Sequence, residues 1–337
     1  MNKWPPITII IVTLNSSRTF EKCLRYIKDQ TYPKISEALI VDGGSTDDTL
    51  EIAKKSGLPV RIINGGYKYN QEARRAVGIG KAKSEICVFI DTDNFIEDKK
   101  WLERMVEPLL IEKSVVASQT LRYSVPKNAS MLNRYFGLLG ASDPIAYYLG
   151  KADRLSFAFD HWNLLGKIVS ENKKYYIIDF QPNNYPTVGC NGVIFRRSIL
   201  LKSNWKNPES YMHTDVFVDI GRLGYNRFAI VKNEIFHNTS DNIVNFLKKR
   251  RNYMLVHHKH LGGIRRYKVF NSNRFEDLLK LLLFIVLSLT LIQPILFSIK
   301  GYLKKKDVAW FLHPLLCFGI MVVYSQAILV SSLKMKK

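Results

Sequence analysis

The sequence predicts an α/β unit on a mostly parallel sheet, followed by two long apolar segments. Three observations carry this. Short β-branched runs alternate with helical patterns through the first ninety or so residues. Two later stretches are apolar over more than twenty residues each. Between them and the α/β unit, Lys248 to Arg274 carries nine Lys or Arg and no acid.

The strands are Ile7–Thr13, Ala38–Val41, Val60–Ile63 and Ile86–Ile90. Helical patterns at Arg18–Gln30, Asp47–Ser56 and Gln71–Ala82 lie between them, which implies parallel strands with helices on the faces. Thr46-Asp47-Asp48 ahead of Thr49-Leu50-Glu51 predicts a helix start with a capping hydroxyl and acids in its first turn. Between Leu121 and Tyr185 the alternation lapses. Met131–Gly140 and Pro144–Leu149 are apolar, aromatic and too short to span, which suits either the membrane–water boundary or packing beneath the sheet.

Leu278–Ile299 and Val308–Leu333 are each long enough to cross a hydrocarbon core of roughly 30 Å, so a transmembrane hairpin is expected. Their length and lack of amphipathic pattern oppose the other reading, a pair of buried core helices. Pro294 and Pro314 would kink such helices without forbidding them. The basic run before the hairpin reads as a cytoplasmic collar on anionic lipid. Against a simple hairpin, the loop Lys300–Asp307 holds four lysines that belong on the same side. Either the larger collar prevails, or one segment is interfacial or re-entrant.

With 337 residues the chain has room for one large or two modest units, and 47% hydrophobic residues exclude global disorder. Fifty Lys plus Arg against 29 Asp plus Glu leave +21, which suits an anionic partner. Cys23, Cys87, Cys190 and Cys317 stand far apart, which excludes a zinc module or disulfide scaffold and fits a reducing compartment. Met1–Pro6 leads straight into the first strand, so no signal peptide is expected. The charge gathers beside the apolar segments and no recognition motif accompanies it, so no nucleic-acid partner is expected. Thr13-Leu14-Asn15-Ser16-Ser17 stands where a dinucleotide enzyme would carry G-x-G-x-x-G, which argues against an oxidoreductase.

Ligands of parallel α/β sheets bind at the carboxyl ends of strands. Here those ends read Val12-Thr13-Leu14-Asn15, Val41-Asp42-Gly43-Gly44-Ser45 and Ile90-Asp91-Thr92-Asp93-Asn94. Two carboxylates one residue apart are unfavourable unless a cation neutralises them, and Mg²⁺ or Mn²⁺ with substrate phosphate oxygens would do so. D-x-D alone also fits a solvated turn; its place after an apolar strand and downstream of Asp42-Gly43-Gly44-Ser45 favours the metal.

In order and spacing, these pieces resemble the family 2 glycosyltransferases, from roughly Thr8 to Arg251. The resemblance implies the GT-A nucleotide-sugar-binding fold. It implies that Thr13, Asn15 and Asp42 hold the base and ribose, that Asp91 faces the ribose or helps the metal, and that Asp93 ligates Mg²⁺ or Mn²⁺ on the diphosphate. Arg75-Ala76-Val77-Gly78 lacks the Asn of the family's Arg-Asn-x-Gly; Arg75 either serves the diphosphate or is a surface helix arginine. Gly189-Cys190-Asn191-Gly192 resembles the family's acceptor loop, though the same letters serve any turn into a strand. His213-Thr214-Asp215 resembles the segment whose acid deprotonates the acceptor hydroxyl, which makes Asp215 the candidate base, with inversion at the anomeric carbon. Asp215 as a plain helix cap, and Asp219 as the base, are the rival readings. His237 completes the metal site or is structural, and Lys249, Arg250 and Arg251 reach the diphosphate or lipid.

The implied organisation is a catalytic domain over 1–245 with an insert at about 121–185, a basic juxtamembrane segment over 246–277, and membrane helices over 278–333. The implied enzyme is a cell-membrane glycosyltransferase with its catalytic domain in the cytoplasm. It would move a sugar from a UDP- or GDP-sugar to a hydroxyl of a lipid-linked saccharide or glycan. Transfer to polyprenyl (dolichyl) phosphate, which needs no base, is the alternative, as is a non-catalytic membrane-associated anion-binding protein.

Overall fold

The computed structural model describes residues 4–181, 184–205, 207–240, 242–255 and 265–335. In chain order its elements begin β1 (Ile7–Thr13), α1 (Ser17–Lys28), β2 (Ile35–Asp42), α2 (Thr49–Lys55), β3 (Val60–Asn64), α3 (Gln71–Lys81) and β4 (Ile86–Phe89). Next come β5 (Asn94–Phe95), α4 (Trp101–Ile111), β6 (Ala117–Tyr123), α5 (Met131–Leu139), α6 (Pro144–Tyr148), β7 (Lys167–Glu171), β8 (Tyr175–Asp179) and β9 (Val193–Arg196). The chain continues through α7 (Arg197–Leu200), α8 (His213–Arg222), β10 (Arg227–His237) and α9 (Ile243–Tyr253). After the undescribed segment stand α10 (Phe275–Thr290), α11 (Ile292–Lys304) and α12 (Leu312–Met335).

Two compact units form, and they do not follow the linear order. One comprises Met1–Arg122 with Leu165–His237; the other comprises Tyr123–Leu164 with Asn238–Lys337. The short helices α5 and α6, within 123–164, pack with the C-terminal helices.

The first unit is built on a mixed sheet in the order β3-β2-β1-β4-β9-β6-β10-β8-β7, with β5 paired to β10. β1 lies parallel to both β2 and β4. Every residue of β1 is buried, as a continuous apolar run covered on both faces requires. Helix α1 buries Phe20, Cys23, Leu24 and Ile27, an i, i+3, i+4, i+7 stripe. The strand and helix positions expected through residue 90 are present, within a few residues at their ends. The expected hydroxyl cap on α2 is not. Asp47 takes that place, accepting from the Thr49 N–H and from the Ser17 N–H across to α1.

In the second unit α5 is almost wholly buried, and it shares a core with Phe246 of α9, Phe284 of α10, Phe297 of α11 and Trp310 in the turn before α12. The first apolar stretch is interrupted near Pro294, where a kink was expected. It breaks at Leu291 (φ 59°), and α10 and α11 meet at 84°. Pro294 gives the reason, because its ring cannot follow the carbonyl of residue 290 in a continuous helix. Val308–Val330, with mean hydropathy 1.8, is long and apolar enough to cross a membrane.

Close approach of α3 to the sheet depends on Gly78. A Cβ there would meet Ile10 Cγ2 at 2.6 Å and Val41 Cγ2 at 3.2 Å, both on branched, rigid side chains. Gly78→Ala is expected to lower stability by about 1–3 kcal/mol through overpacking. Thermal unfolding checks this, and an unchanged Tm would show that α3 can shift freely.

Candidate active site

β1 runs parallel to β2 on one side and to β4 on the other, with Thr13 opposite Asp42 at their carboxyl ends. The Thr13 hydroxyl donates to Asp42 Oδ1 at 3.0 Å. The other carboxylate oxygen accepts the N–H groups of Gly44 and Ser45, both at 2.8 Å. Burial alone would raise the Asp42 carboxyl, but the bonds from Ser45, Gly44 and Thr13 outweigh it and hold it below the usual range. Asn15 sits in a left-handed conformation (φ 49°), and its side-chain oxygen accepts the Thr46 N–H at 2.8 Å. Thr13, Asn15 and Asp42 thus form one hydrogen-bonded corner.

Beyond β4 the acidic motif splits between two partners. Asp91 receives two hydrogen bonds from Arg75 Nη2, at 2.7 and 3.0 Å, and a third from Gln71. Asp93 instead meets His237, with Oδ2 3.6 Å from Nε2. Sheet pairing explains the meeting: β10 lies antiparallel to β5, and His237 falls opposite Asn94. Asn191, in the glycine-bearing loop before β9, lies 3.4 Å from His237 Nδ1. Gly192 closes that loop with φ +66°, where a Cβ would stand 2.7 Å from Ile235. The three expected metal ligands are therefore not gathered equally. Asp93 and His237 come together while Asp91 is tied to an arginine. Among the described residues no group of three or more His, Cys, Asp or Glu side chains is arranged to hold a metal.

Arg75 is not a surface arginine. It is buried between Asp91 and Glu72, both of which it bonds, so its guanidinium is committed to protein carboxylates. Glu72 extends the chain of contacts: its second oxygen accepts the backbone N–H of His213 and lies 2.9 Å from His213 Nδ1. The start of α8 is thereby tied to α3 and, through Arg75, to the acidic motif. Asp215 stands buried in the first turn of α8. Asp219, one turn on, accepts the Asn204 N–H at 3.1 Å and so holds the preceding loop. Lys249, Arg250 and Arg251 belong to the other unit, where Arg250 bonds Ser142.

Sequence reading did not single out Glu72 or His213. Glu72 stands three residues before Arg75, the one local signal of a shared helix face. His213 lies 141 positions away, and nothing in the spacing announces its partner.

Residues 8–202 match the sequence profile described as Glycosyl transferase family 2. The chain belongs to that family. Among its relatives, Glycosyltransferase AglE of Haloferax volcanii is 30% identical over 135 residues, 39% of this chain and 44% of its own length. The Cholesterol galactosyltransferase of Borreliella burgdorferi is 23% identical over 236 residues, 69% of this chain and 59% of its own. The chain thus spans about half the length of the curated relatives named here. Among solved structures, mannosyltransferase PcManGT from Pyrobaculum calidifontis, in complex with GDP-Man and Mn2+, superposes with TM-score 0.54 at 14% identity. That alignment covers 95% of this chain and 87% of the other. The mixed α/β sheet of this family 2 glycosyltransferase is accordingly of the GT-A type.

Burial alone would raise the Glu72 carboxyl, but His213 and Arg75 outweigh it and hold it well below the usual carboxylate range. A depressed folded-state value means that its contribution is complete above the unfolded pKa and is lost as the pH falls below it. Tm should therefore decline on acidification below about pH 4.3, and less steeply in Glu72→Gln. Glu72→Ala leaves buried Arg75 with Asp91 alone and His213 without its carboxylate partner, and is expected to cost about 1–3 kcal/mol. Tm against pH for the three proteins checks both, and superimposable curves would remove Glu72 from the account.

Proposed function

We propose that this glycosyltransferase is a membrane-attached, metal-dependent, inverting enzyme. It moves a sugar from a UDP- or GDP-sugar to a hydroxyl of a lipid-linked saccharide or glycan. The observation that carries the reading is the meeting of Asp93 and His237 beyond β4, beside the Thr13–Asp42 corner and joined through Asp91, Arg75 and Glu72 to the start of α8.

Thr13, Asn15 and Asp42 would receive the nucleoside, with the Asp42 carboxylate kept ionised to accept ribose or base donors. Asp93 and His237 offer one carboxylate and one imidazole, a donor pair that suits a divalent cation completed by diphosphate oxygens and water. Such a cation would supply Lewis-acid stabilisation for the departing nucleoside diphosphate. Asp91, held by Arg75, would orient that loop rather than ligate. Arg75 acts here as the positioning group for Asp91, in place of a direct hold on the diphosphate. Asp215 would take the proton from the acceptor hydroxyl as the glycosidic bond forms, and displacement from the face opposite the leaving group inverts the anomeric centre. PcManGT, in complex with GDP-Man and Mn2+, supports a nucleotide-sugar and divalent-metal reading. The apolar helices of the second unit and the printed activity of the cholesterol galactosyltransferase support an acceptor at a lipid surface.

Two substitutions separate the roles. Asp93→Asn should abolish Mn²⁺-dependent binding of UDP or GDP. Asp215→Asn should bind the nucleotide as wild type does, with kcat for a hydroxyl acceptor lowered roughly 10²–10⁴-fold. Calorimetry and transfer of labelled sugar read the two. Wild-type transfer by Asp215→Asn would remove the base and make a polyprenyl phosphate the acceptor.

A further inference from the structure

Helices α10 and α11 are packed with their apolar faces outward. On α10 the buried positions are Asp277, Phe284 and Ser288, while Phe275, Leu279, Leu282, Leu283, Val286 and Leu289 are exposed. On α11 Pro294, Phe297, Ser298 and Gly301 are buried, while Ile292, Ile295, Leu296, Ile299 and Leu303 are exposed. A patch of this extent needs an apolar cover. Its rim says which kind. Lys300, Lys304, Lys305 and Lys306 stand exposed at the end of α11. The ammoniums of Lys300, Lys305 and Lys306 lie 4.1, 5.0 and 4.7 Å from the ring centres of Phe159, Phe157 and Tyr302. Lys304 pairs with exposed Asp160. Arg274 and Lys280 mark the start of α10, each paired with Glu276. An apolar face rimmed by cations resting on aromatic rings matches the headgroup level of an anionic leaflet.

The mode of attachment follows from what lies along α12. Leu247 of α9 packs on Gly319, where a Cβ would stand 3.2 Å from Leu247 Cδ1. Further on, the Tyr324 hydroxyl bonds Asp143, which lies 3.6 Å from Arg250 of α9. Gly319 is at the centre of the apolar window Val308–Val330, and Tyr324 still lies well inside it. Lys248 and Lys249, next to Leu247, are exposed. Were α12 to cross the bilayer, these lysines and the Asp143–Arg250 pair would be carried into hydrocarbon, where charges are expensive. The 84° bend between α10 and α11, with basic residues at the outer end of each, suits a pair that re-enters on one side better than a broken span.

We propose that the second unit inserts into one leaflet of an anionic membrane, with α10 and α11 re-entering and α12 lying along the interface. No described segment crosses. This rests on the membrane attachment proposed above and fixes its form.

The test uses three reporters in the full-length chain, each introduced singly: Lys54→Cys on the exposed surface of α2, Lys306→Cys in the exposed turn between α11 and α12, and Lys337→Cys at the C-terminus. The four native cysteines are buried. Each variant is treated with a membrane-impermeant maleimide in intact spheroplasts and in inverted membrane vesicles. All three are expected to label in the same preparation and to be protected in the other, whereas a two-span hairpin would label Lys306→Cys alone in the opposite preparation. Labelling in opposite preparations would show a span and overturn the proposal, as would recovery of the protein in the soluble fraction. Mn²⁺-dependent UDP or GDP binding, measured on the same vesicles, reads the enzymatic assignment separately. Its loss with same-side labelling sinks that assignment alone, and its retention with opposite-side labelling sinks only the one-leaflet mode.

Discussion

The buried guanidinium of Arg75 is the constraint on which the arrangement of the acidic motif depends. A cation with little access to water is tolerable only when carboxylates surround it, and here Asp91 and Glu72 do so. Each then acquires a fixed position. Asp91 is turned toward α3, which leaves Asp93 to face His237. Glu72 has its second oxygen on the first residue of α8 and sets where that helix begins. One buried charge thus orders the loop after β4, the face of α3 and the turn that carries Asp215. Gly78 adds the steric counterpart, since only a residue without a side chain lets α3 approach β1 and β2 closely enough to deliver Arg75 and Glu72.

Much of the fold was legible because local pattern and tertiary role agree. Buried parallel strands read as unbroken apolar runs, and the polar residues closing β1, β2 and β4 marked where those runs end. His237 was legible as a histidine after a strand; that β5 would bring Asn94 opposite it, and Asp93 within reach, was not. Ion partners lay beyond reach for the same reason. Arg75 and Asp91 are sixteen positions apart, Glu72 and His213 far more, and pairing over such distances leaves no periodicity in the chain. Arg75 could therefore be read as a surface arginine, whereas it is buried between Asp91 and Glu72.

The C-terminal half shows the limit of hydropathy. Leu278–Ile299 has the length of a span, yet its helix is interrupted three residues before Pro294, where Leu291 absorbs the turn. Composition alone also could not show that 123–164 would pack with these helices, or that α9 would lie along α12. That packing changes the meaning of the basic residues. In sequence they form a collar beside a hairpin; in the structure the first four, Lys248 to Arg251, stand on α9, which lies along α12. The four lysines of 300–307, which conflicted with a hairpin, conflict with nothing once α10 and α11 return to the same side.

The proposed transferase site needs the Thr13–Asp42 corner and the Asp93–His237 pair to act on one ligand. The most direct measurement is thermal stability of the purified protein with UDP or GDP, each with and without Mn²⁺. A ligand that binds only the folded state at a hundred times its Kd adds about 2.7 kcal/mol. The account predicts a rise in Tm with one nucleotide and Mn²⁺ together, and little with either alone. Folded protein whose Tm is indifferent to both nucleotides in the presence of Mn²⁺ would contradict it.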